Sequence, residues 1–544
     1  MSATTPTAPP AGPEGSEGPP GRVARNTAIF SIATAFSRIA GLGREVVAAS
    51  YFGTSAAASA FTIAFLVPNL VANLFANAAL SAAFVPVFTD LLQQGKKREA
   101  FRLASTLLWI MFIALAVITA FFILLAGTIV PLFLGPALNG VNGVAVLLSQ
   151  ILVPVILLLG LTSLLVGVLQ SYDRFSIPAI APAVWNVVII GLLIYLHPQY
   201  AHSHHGIEAY ALAILVATGV QLLMAMFALA QIDFRLAFHI DWHDPRIRQV
   251  FALMLPVTIG LGIVNLDQLI NSAFGGLVHT NPTGGAPRAI DNAFRIYMLP
   301  QGMFSVAVAT VLFPTLSRMA ARRDPAGMRR ALAIGMRQIN LMLIPASAFL
   351  MVLATPVVRL IYQHGEFGPR STHLVSIALF WFAFSLPFGG LNLLLTRTFF
   401  ALQRPWIPTR LAAINMTVDI IVSLSLYKPL GIAGLVIGTF VANVVMTALQ
   451  LQRLRKGFNG RLEGAQTMMI TARITVASVL LAAISWVVWR LLDHLLGTSI
   501  PGQLVSVGAA AAIGGFIYMR AVLRMNIPEA FQVQEMFLSR LRRA

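Results

Sequence analysis

Long apolar runs alternate with short polar connections along almost the whole chain. The runs are roughly 20 to 30 residues long, the length needed for a helix to cross a bilayer. Fourteen spans are expected, at roughly 27–52, 56–86, 101–133, 146–171, 176–196, 207–231, 247–275, 289–316, 331–362, 372–402, 407–427, 430–452, 470–495 and 501–523. The fold class is therefore an all-α polytopic membrane protein. The connections are too short to hold a separate globular domain.

Polar residues inside the runs are the next signal. The stretch Phe36–Phe88 reads as two spans joined by the turn Tyr51–Ser55, and the first span carries Arg38, Arg44 and Glu45 in apolar surroundings. A charge at bilayer depth costs at least ~2.5 kcal/mol, so charges placed there usually face a cavity and serve function. Ser37, Gly41 and Arg44 share one helical face, and Arg38, Gly41 and Glu45 share nearly the same one. Gly41 and Gly43 weaken the helix, and a bend is expected there. In the eighth span Arg295 precedes Pro300 within AIDNAFRIYMLPQG. The planar guanidinium fork suits phosphate through bidentate hydrogen bonds. The plainer alternatives are that Arg44 pairs with Glu45 or Asp291 structurally, or that the arginines reach to an interface.

The chain also repeats itself. Leu169–Trp185 resembles Phe399–Asn415, pairing Arg174 with Arg404 and Ile177-Pro178 with Ile407-Pro408. Phe84–Leu92 resembles Leu312–Ala320, and Leu66–Asn69 resembles Met298–Gln301. The offset stays near roughly 230 residues, six spans, and an even number preserves orientation. Two parallel six-helix repeats around a central cleft are expected, with two extra carboxyl-terminal helices. By this offset Arg295 falls near Phe65, so Arg38, Arg44 and Arg295 are placed to converge on the cleft from both lobes. The expected divisions are a disordered cytoplasmic tail over 1–24, an N-lobe over 25–232, a C-lobe over 246–453, extra helices over 466–524 and a basic cytoplasmic carboxyl terminus over 525–544. Met1–Gly21, rich in Pro, Gly, Ser and Thr, has no apolar run and does not read as a signal peptide.

Charge gives the orientation. The formal net charge is +18, yet only 10% of residues are charged and 58% are hydrophobic. The basic residues sit mainly between spans, so they point to topology and anionic membrane lipids, with no nucleic acid as partner. One set of loops carries Lys96, Lys97, Arg98 and Arg102, then Arg174, Arg235, Arg246 and Arg248, then Arg318, Arg322, Arg323, Arg329 and Arg330, then Arg404, Arg410, Arg453, Arg455, Lys456 and Arg461. The other set holds little beyond Arg288, Arg370, Lys428 and Arg490. The first set, with both termini, is expected in the cytoplasm. The absence of cysteine excludes disulfides, haem thiolates and iron–sulfur ligation.

A second polar group lies in the carboxyl-terminal half. Asn415 and Asp419 are one turn apart, Thr439 is in the next span and Asp267 is in the seventh. Such hard oxygen ligands suit a sodium ion as coupling ion, and serve a proton relay equally well. A neutral Asp419 bonded to Asn415 between helices is an even alternative. His202, His204 and His205 read as a hydrated loop and Arg337 as an interfacial anchor. The sequence holds no phosphate-binding Gly loop, no nucleophile elbow and no paired acidic motif, so an enzyme is not expected.

Several motifs together resemble the MurJ (MviN) lipid II flippase family. They are the FSRxxGxxRE run at Phe36–Glu45, Pro68-Asn69, Ala83–Phe88, Arg174–Pro182, Leu299–Ser317 and Tyr362–Phe367. The resemblance covers most of spans 1–12. It implies two six-helix lobes, two further helices that form a groove for a lipid tail, and membership of a superfamily that includes multidrug exporters. It implies that Arg38, Arg44 and Arg295 hold the lipid pyrophosphate, with Glu45 where many members have Asp. It also implies a cation site at Asp267, Asn415, Asp419 and Thr439. The chain departs from the family at Ala72-Asn73, Ser59 and Asn77, where many members carry charges. The expected function is translocation of lipid II, a polyprenyl-pyrophosphate-linked peptidoglycan precursor, across the bacterial cytoplasmic membrane by alternating access. A transporter for another polyprenyl-pyrophosphate glycan, or an exporter of drugs, is the alternative. A drug exporter would favour cationic substrates, which a positive cleft repels.

Overall fold

The computed structural model describes residues 20–74, 80–172, 174, 176–200, 206–232, 237, 241, 244–252, 254, 270–280, 284–404, 406–458 and 463–531. They are helical almost throughout. In the first half the helices are α1 (Pro20–Phe52), α2 (Ala56–Leu74), α3 (Leu80–Gln93), α4 (Lys97–Phe133), α5 (Asn142–Leu152), α6 (Pro154–Ser171), α7 (Ser176–Tyr200) and α8 (Gly206–Ala230). In the second half they are α9 (Ala286–Pro300), α10 (Val306–Ala321), α11 (Pro325–Val352), α12 (Ala354–Tyr362), α13 (Pro369–Ala401), α14 (Trp406–Leu430) and α15 (Ile432–Gly457). A hairpin of α16 (Gly464–Leu496) and α17 (Ile500–Arg524) follows. Eleven of these helical stretches, some formed of two consecutive helices, are long and apolar enough to cross a membrane.

Proline explains the interruptions. Pro154 opens α6 directly after Val153, and Pro356 withholds the amide that Val352 would otherwise receive, so the helix breaks at Leu353. After Pro300 the chain takes one π-helical turn over Gln301–Ser305 before α10. No such break occurs at Gly41 and Gly43, where α1 is α-helical without interruption. Cβ atoms there would lie at ordinary contact distance, 3.7 Å from the Asn186 side chain and 3.8 Å from Ile190 of α7, so a small side chain would fit at either position.

The duplication is visible in the packing. In the first half α4 packs on α5 and α6, α6 on α8, and α7 on α8; in the second α11 packs on α13, α13 on α15, and α14 on α15. The pair α2 and α3 lies against α5 and α6 as α9 and α10 lie against α13. The first half has two clusters of buried side chains, built around Phe84, Phe88 and Leu107 and around Phe61, Leu148 and Tyr210. The second has one large cluster around Leu343, Tyr362, Phe367 and Leu386. Lipid is as apolar as these side chains, so close packing and hydrogen bonds hold the helices together more than water exclusion does.

At one end of the bundle the two halves meet through backbone. The Glu366 amide donates to Ser50 O at 2.8 Å, and the Thr54 and Ser371 hydroxyls are 2.8 Å apart. The Ala137 amide donates to Gly276 O at 3.2 Å. Gly365 has φ +57°, and a Cβ there would come within 2.3 Å of Ser50 O. Glycine is therefore required twice over at this position, by conformation and by space.

The α16–α17 hairpin is fastened to the second half at both ends. At one end the Arg337 Nε donates to Glu529 Oε1 at 2.5 Å, with Glu463 Oε2 3.6 Å from Nη1. The Tyr518 hydroxyl donates to Leu341 O at 2.6 Å beside them. At the other end Arg359 lies 3.6 Å from Asp493, which also accepts from Gln503. One expectation changes here. Arg337 is buried and paired, not an interfacial anchor. Beyond Arg524, Ile527, Glu529 and Ala530 are buried, and Ile527 and Ala530 pack with Leu341, Ile470 and Tyr518. At the other terminus the described part of α1 starts at Pro20, within the expected tail. Breaking a buried ion pair by removing one partner typically costs about 3–5 kcal/mol, because the other charge is left bare. Arg337→Leu should therefore lower the thermal unfolding temperature of the purified protein sharply. The double variant Arg337→Leu/Glu529→Leu should recover most of that loss, and equal losses in the two would show that the pair is not the cause.

Candidate functional site

The charged residues of α1 meet one face of α9. Arg288, Asp291 and Arg295 are spaced three and four apart on α9, so they project on one side. That side lies against Arg44 and Glu45. Glu45 is 2% exposed and is the hub of the group. Its Oε1 accepts from Arg44 through Nε at 3.1 Å and more closely through Nη2, and lies 3.3 Å from Arg295 Nη1. Its Oε2 accepts from Arg288 Nη2 at 3.2 Å. Asp291 Oδ2 accepts from Arg295 Nε at 3.0 Å and from Arg288 Nη1 at 3.3 Å.

Three guanidinium groups thus surround two carboxylates, leaving one positive charge in excess. Arg44 also stacks 4.8 Å from the ring centre of Trp185, whose indole amine donates to Thr218 Oγ1. Arg44, Glu45 and Arg288 are buried, whereas a third of the Arg295 side chain remains accessible. Arg38 is exposed further along α1, with no carboxylate at ion-pair distance among the described residues. It lies against the π-helical turn, where a Cβ on Gly302 would sit 3.0 Å from its Nη1. The arrangement can bind an anion of more than one charge. Arg38 and the open edge of Arg295 are available to it, and Arg44 is held ready by Trp185. Among the described residues the cluster contains no serine, cysteine or histidine positioned as a nucleophile beside a base.

The structure shows Arg44 paired with Glu45, the plainer of the alternatives, and brings Arg295 to the same carboxylate, while Arg38 stands apart from the group. It adds Arg288, which hydropathy assigned to a loop. The recoverable signal was its spacing: Arg288 lies two helical turns before Arg295 with Asp291 between them.

The second polar group centres on Asp419, fully buried on α14. Asn271 Nδ2 donates to its Oδ2 at 2.8 Å, Ser423 Oγ to its Oδ1 at 3.0 Å, and Thr439 Oγ1 to its Oδ2 at 3.3 Å. Gly438 makes room, since a Cβ there would lie 2.6 Å from Asp419 Oδ1. Thr439 is a partner as expected. Asn415 is one turn away with its Oδ1 buried and unpartnered, and it does not bond Asp419. Asp267 lies outside the described residues, as do His202, His204, His205 and Asn77. Asn271 and Ser423 were missed because uncharged donors are common in spans and carry no contrast.

A duplicated bundle of membrane-length apolar helices, with a cationic cluster buried between its halves, has the architecture of a membrane transporter. The family model described as "Lipid II flippase MurJ" matches residues 48–507, and the chain belongs to that family. It is 30% identical over 434 residues to the lipid II flippase MurJ of Burkholderia cenocepacia, covering 78% of this chain and 82% of that protein. It is 29% identical over 472 residues to a probable lipid II flippase MurJ of Rhizobium meliloti, covering 84% and 86%. Its fold is similar to a solved "Lipid II flippase MurJ, inward closed conformation", with TM-score 0.75, 23% identity, and 91% and 100% of the two chains covered. It is also similar to an inward-facing multidrug resistance MATE family transporter, with TM-score 0.62, 16% identity, and 80% and 98% covered.

Arg44 supplies two donors to one carboxylate oxygen through its planar fork, which lysine cannot reproduce. Arg44→Lys should weaken binding of inorganic pyrophosphate to the purified protein by roughly tenfold or more, and Arg44→Ala further, at unchanged expression. Equal affinity of Arg44→Lys and wild type would remove the fork from the site.

Proposed function

We propose that this protein carries the pyrophosphate head of lipid II through the cleft between its halves while the polyprenyl tail stays in lipid. The reading rests on one observation: Arg44, Arg288 and Arg295, drawn from both halves, surround Glu45 at the boundary between them with a net positive charge. Arg38, Arg44 and Arg295 contact the phosphates, and Glu45 holds the arginines in place when no substrate is bound. Family membership favours lipid II over another polyprenyl-pyrophosphate glycan.

The halves are the N-lobe, 25–232, and the C-lobe, 246–453, and they rock about the cleft. The hairpin 466–524 travels with the C-lobe, which its two ion-paired ends support. The chain lies in the bacterial cytoplasmic membrane with both termini in the cytoplasm, as the loop charges require. The end joined through Ser50, Gly276 and Glu366 is then the outer end, and the state described here is shut toward the outside. The basic loops at the opposite face contact anionic lipid.

Asp419, with Thr439, Asn271 and Ser423, with Asn415 one turn before it and Asp267 four residues before Asn271 in the sequence, is the site of a coupling sodium ion. Three neutral donors do not cancel a buried negative charge, which supports a cation or a proton there.

Expression of the wild-type chain should restore growth to a strain depleted of its lipid II flippase, and failure of a well-expressed, membrane-inserted protein would overturn the substrate. Sodium should raise the thermal stability of the purified protein over potassium, and Asp419→Asn should abolish that difference and slow transport while pyrophosphate binding persists. A wild type indifferent to sodium, with a transport-competent Asp419→Asn variant, would leave Asp419 as hydrogen-bonded packing.

A further inference from the structure

The two oxygens of Glu45 have different partners. Oε1 receives Arg44 and Arg295, the arginines assigned above to the phosphates, while Oε2 receives Arg288 alone. Arg288 is 2% exposed and Arg44 6%, against a third for the Arg295 side chain; what sets Arg288 apart from Arg44 is its second carboxylate partner, Asp291. It is tied down on every side. Nη1 bonds Asp291, Nη2 bonds Glu45, and its backbone amide donates to Ser59 Oγ of α2 at 3.3 Å. Its Nε is buried without a partner, so a residue chosen only for packing would be better apolar.

The site has an electrostatic difficulty that this arrangement removes. A pyrophosphate entering the cleft competes with Glu45 Oε1 for Arg44 and Arg295. Were these the only partners of Glu45, binding would strand an ionised carboxylate in the interior, and that penalty would oppose every ligand. We propose that Arg288 is the standing counter-ion of Glu45. It keeps Oε2 neutralised whether Arg44 and Arg295 hold Oε1 or a substrate, and so sets the affinity of the cleft for pyrophosphate without touching it. Arg288 is a positioning residue acting through Glu45. The inference rests on the reading of the cleft as a pyrophosphate site.

The test is a cycle on the full-length purified protein, with inorganic pyrophosphate as probe and calorimetric binding as readout. Arg288→Met should lower affinity by roughly tenfold or more, because Glu45 then keeps both arginines for itself. Arg288→Met/Glu45→Gln should return affinity to that of Glu45→Gln alone, since no charge remains to be stranded. A purely structural role would not show this rescue. An unchanged affinity in Arg288→Met, or a double variant as weak as the single, overturns the inference. Where Arg288→Met does not fold, Arg288→Lys provides the same test. It keeps one charge but loses the fork between Glu45 and Asp291, and a modest loss of affinity relieved by Glu45→Gln supports the inference, whereas a loss that Glu45→Gln leaves in place overturns it. Absence of pyrophosphate binding by the wild type would instead remove the reading of the cleft, a distinct outcome.

Discussion

The structure depends on one buried carboxylate shared among three guanidinium groups. Glu45 comes from the first half of the duplicated chain, and Arg288 and Arg295 from the second, so the same contacts that neutralise the charge also hold the halves together. Neither side can be left bare in a low-dielectric interior. This constraint explains why so many charges are tolerated in a protein in which charged residues are scarce. The charges cancel nearly, but not completely, and the remainder is what an anionic ligand finds.

The rest of the architecture keeps this junction defined. In each half the same pairs of helices pack together, which places α1 and α9 on facing edges. The carboxyl-terminal hairpin adds to the second half only, fixed by Arg337 with Glu529 at one end and Arg359 with Asp493 at the other. Among the described residues, a movement between the halves has this buried cluster and the more exposed Arg246–Glu99 pair, 2.7 Å apart, to rearrange, and the ion pairs of the hairpin do not straddle them.

Much of this was legible in the sequence. The spans follow from hydropathy, and the duplication from short matches kept at one offset. Arg38, Arg44, Glu45 and Arg295 stood out because a charge in an apolar run is costly and needs a partner or a purpose. What failed to stand out shares one cause. Arg288 follows a polar stretch and Arg337 opens a span, and hydropathy cannot distinguish an arginine at the edge of a span that is buried from one that is wet. Glu529 looked like part of a basic tail for the same reason. Asn271 and Ser423 were hidden differently, since only the three-dimensional fold shows which of many uncharged donors meets Asp419.

The backbone junction at one end of the bundle has a property opposite to that of the cleft. It is made from peptide groups, at Ser50 with Glu366 and Ala137 with Gly276, and from a pair of hydroxyls. None of these contacts carries charge. Ionic strength and proton concentration act on the arginine cluster and have no purchase on these contacts. Their opening is set by peptide hydrogen bonds and by the fit around Gly365, quantities that change little from one aqueous medium to another. A contact without charges keeps the same strength whatever the salt and acidity around it.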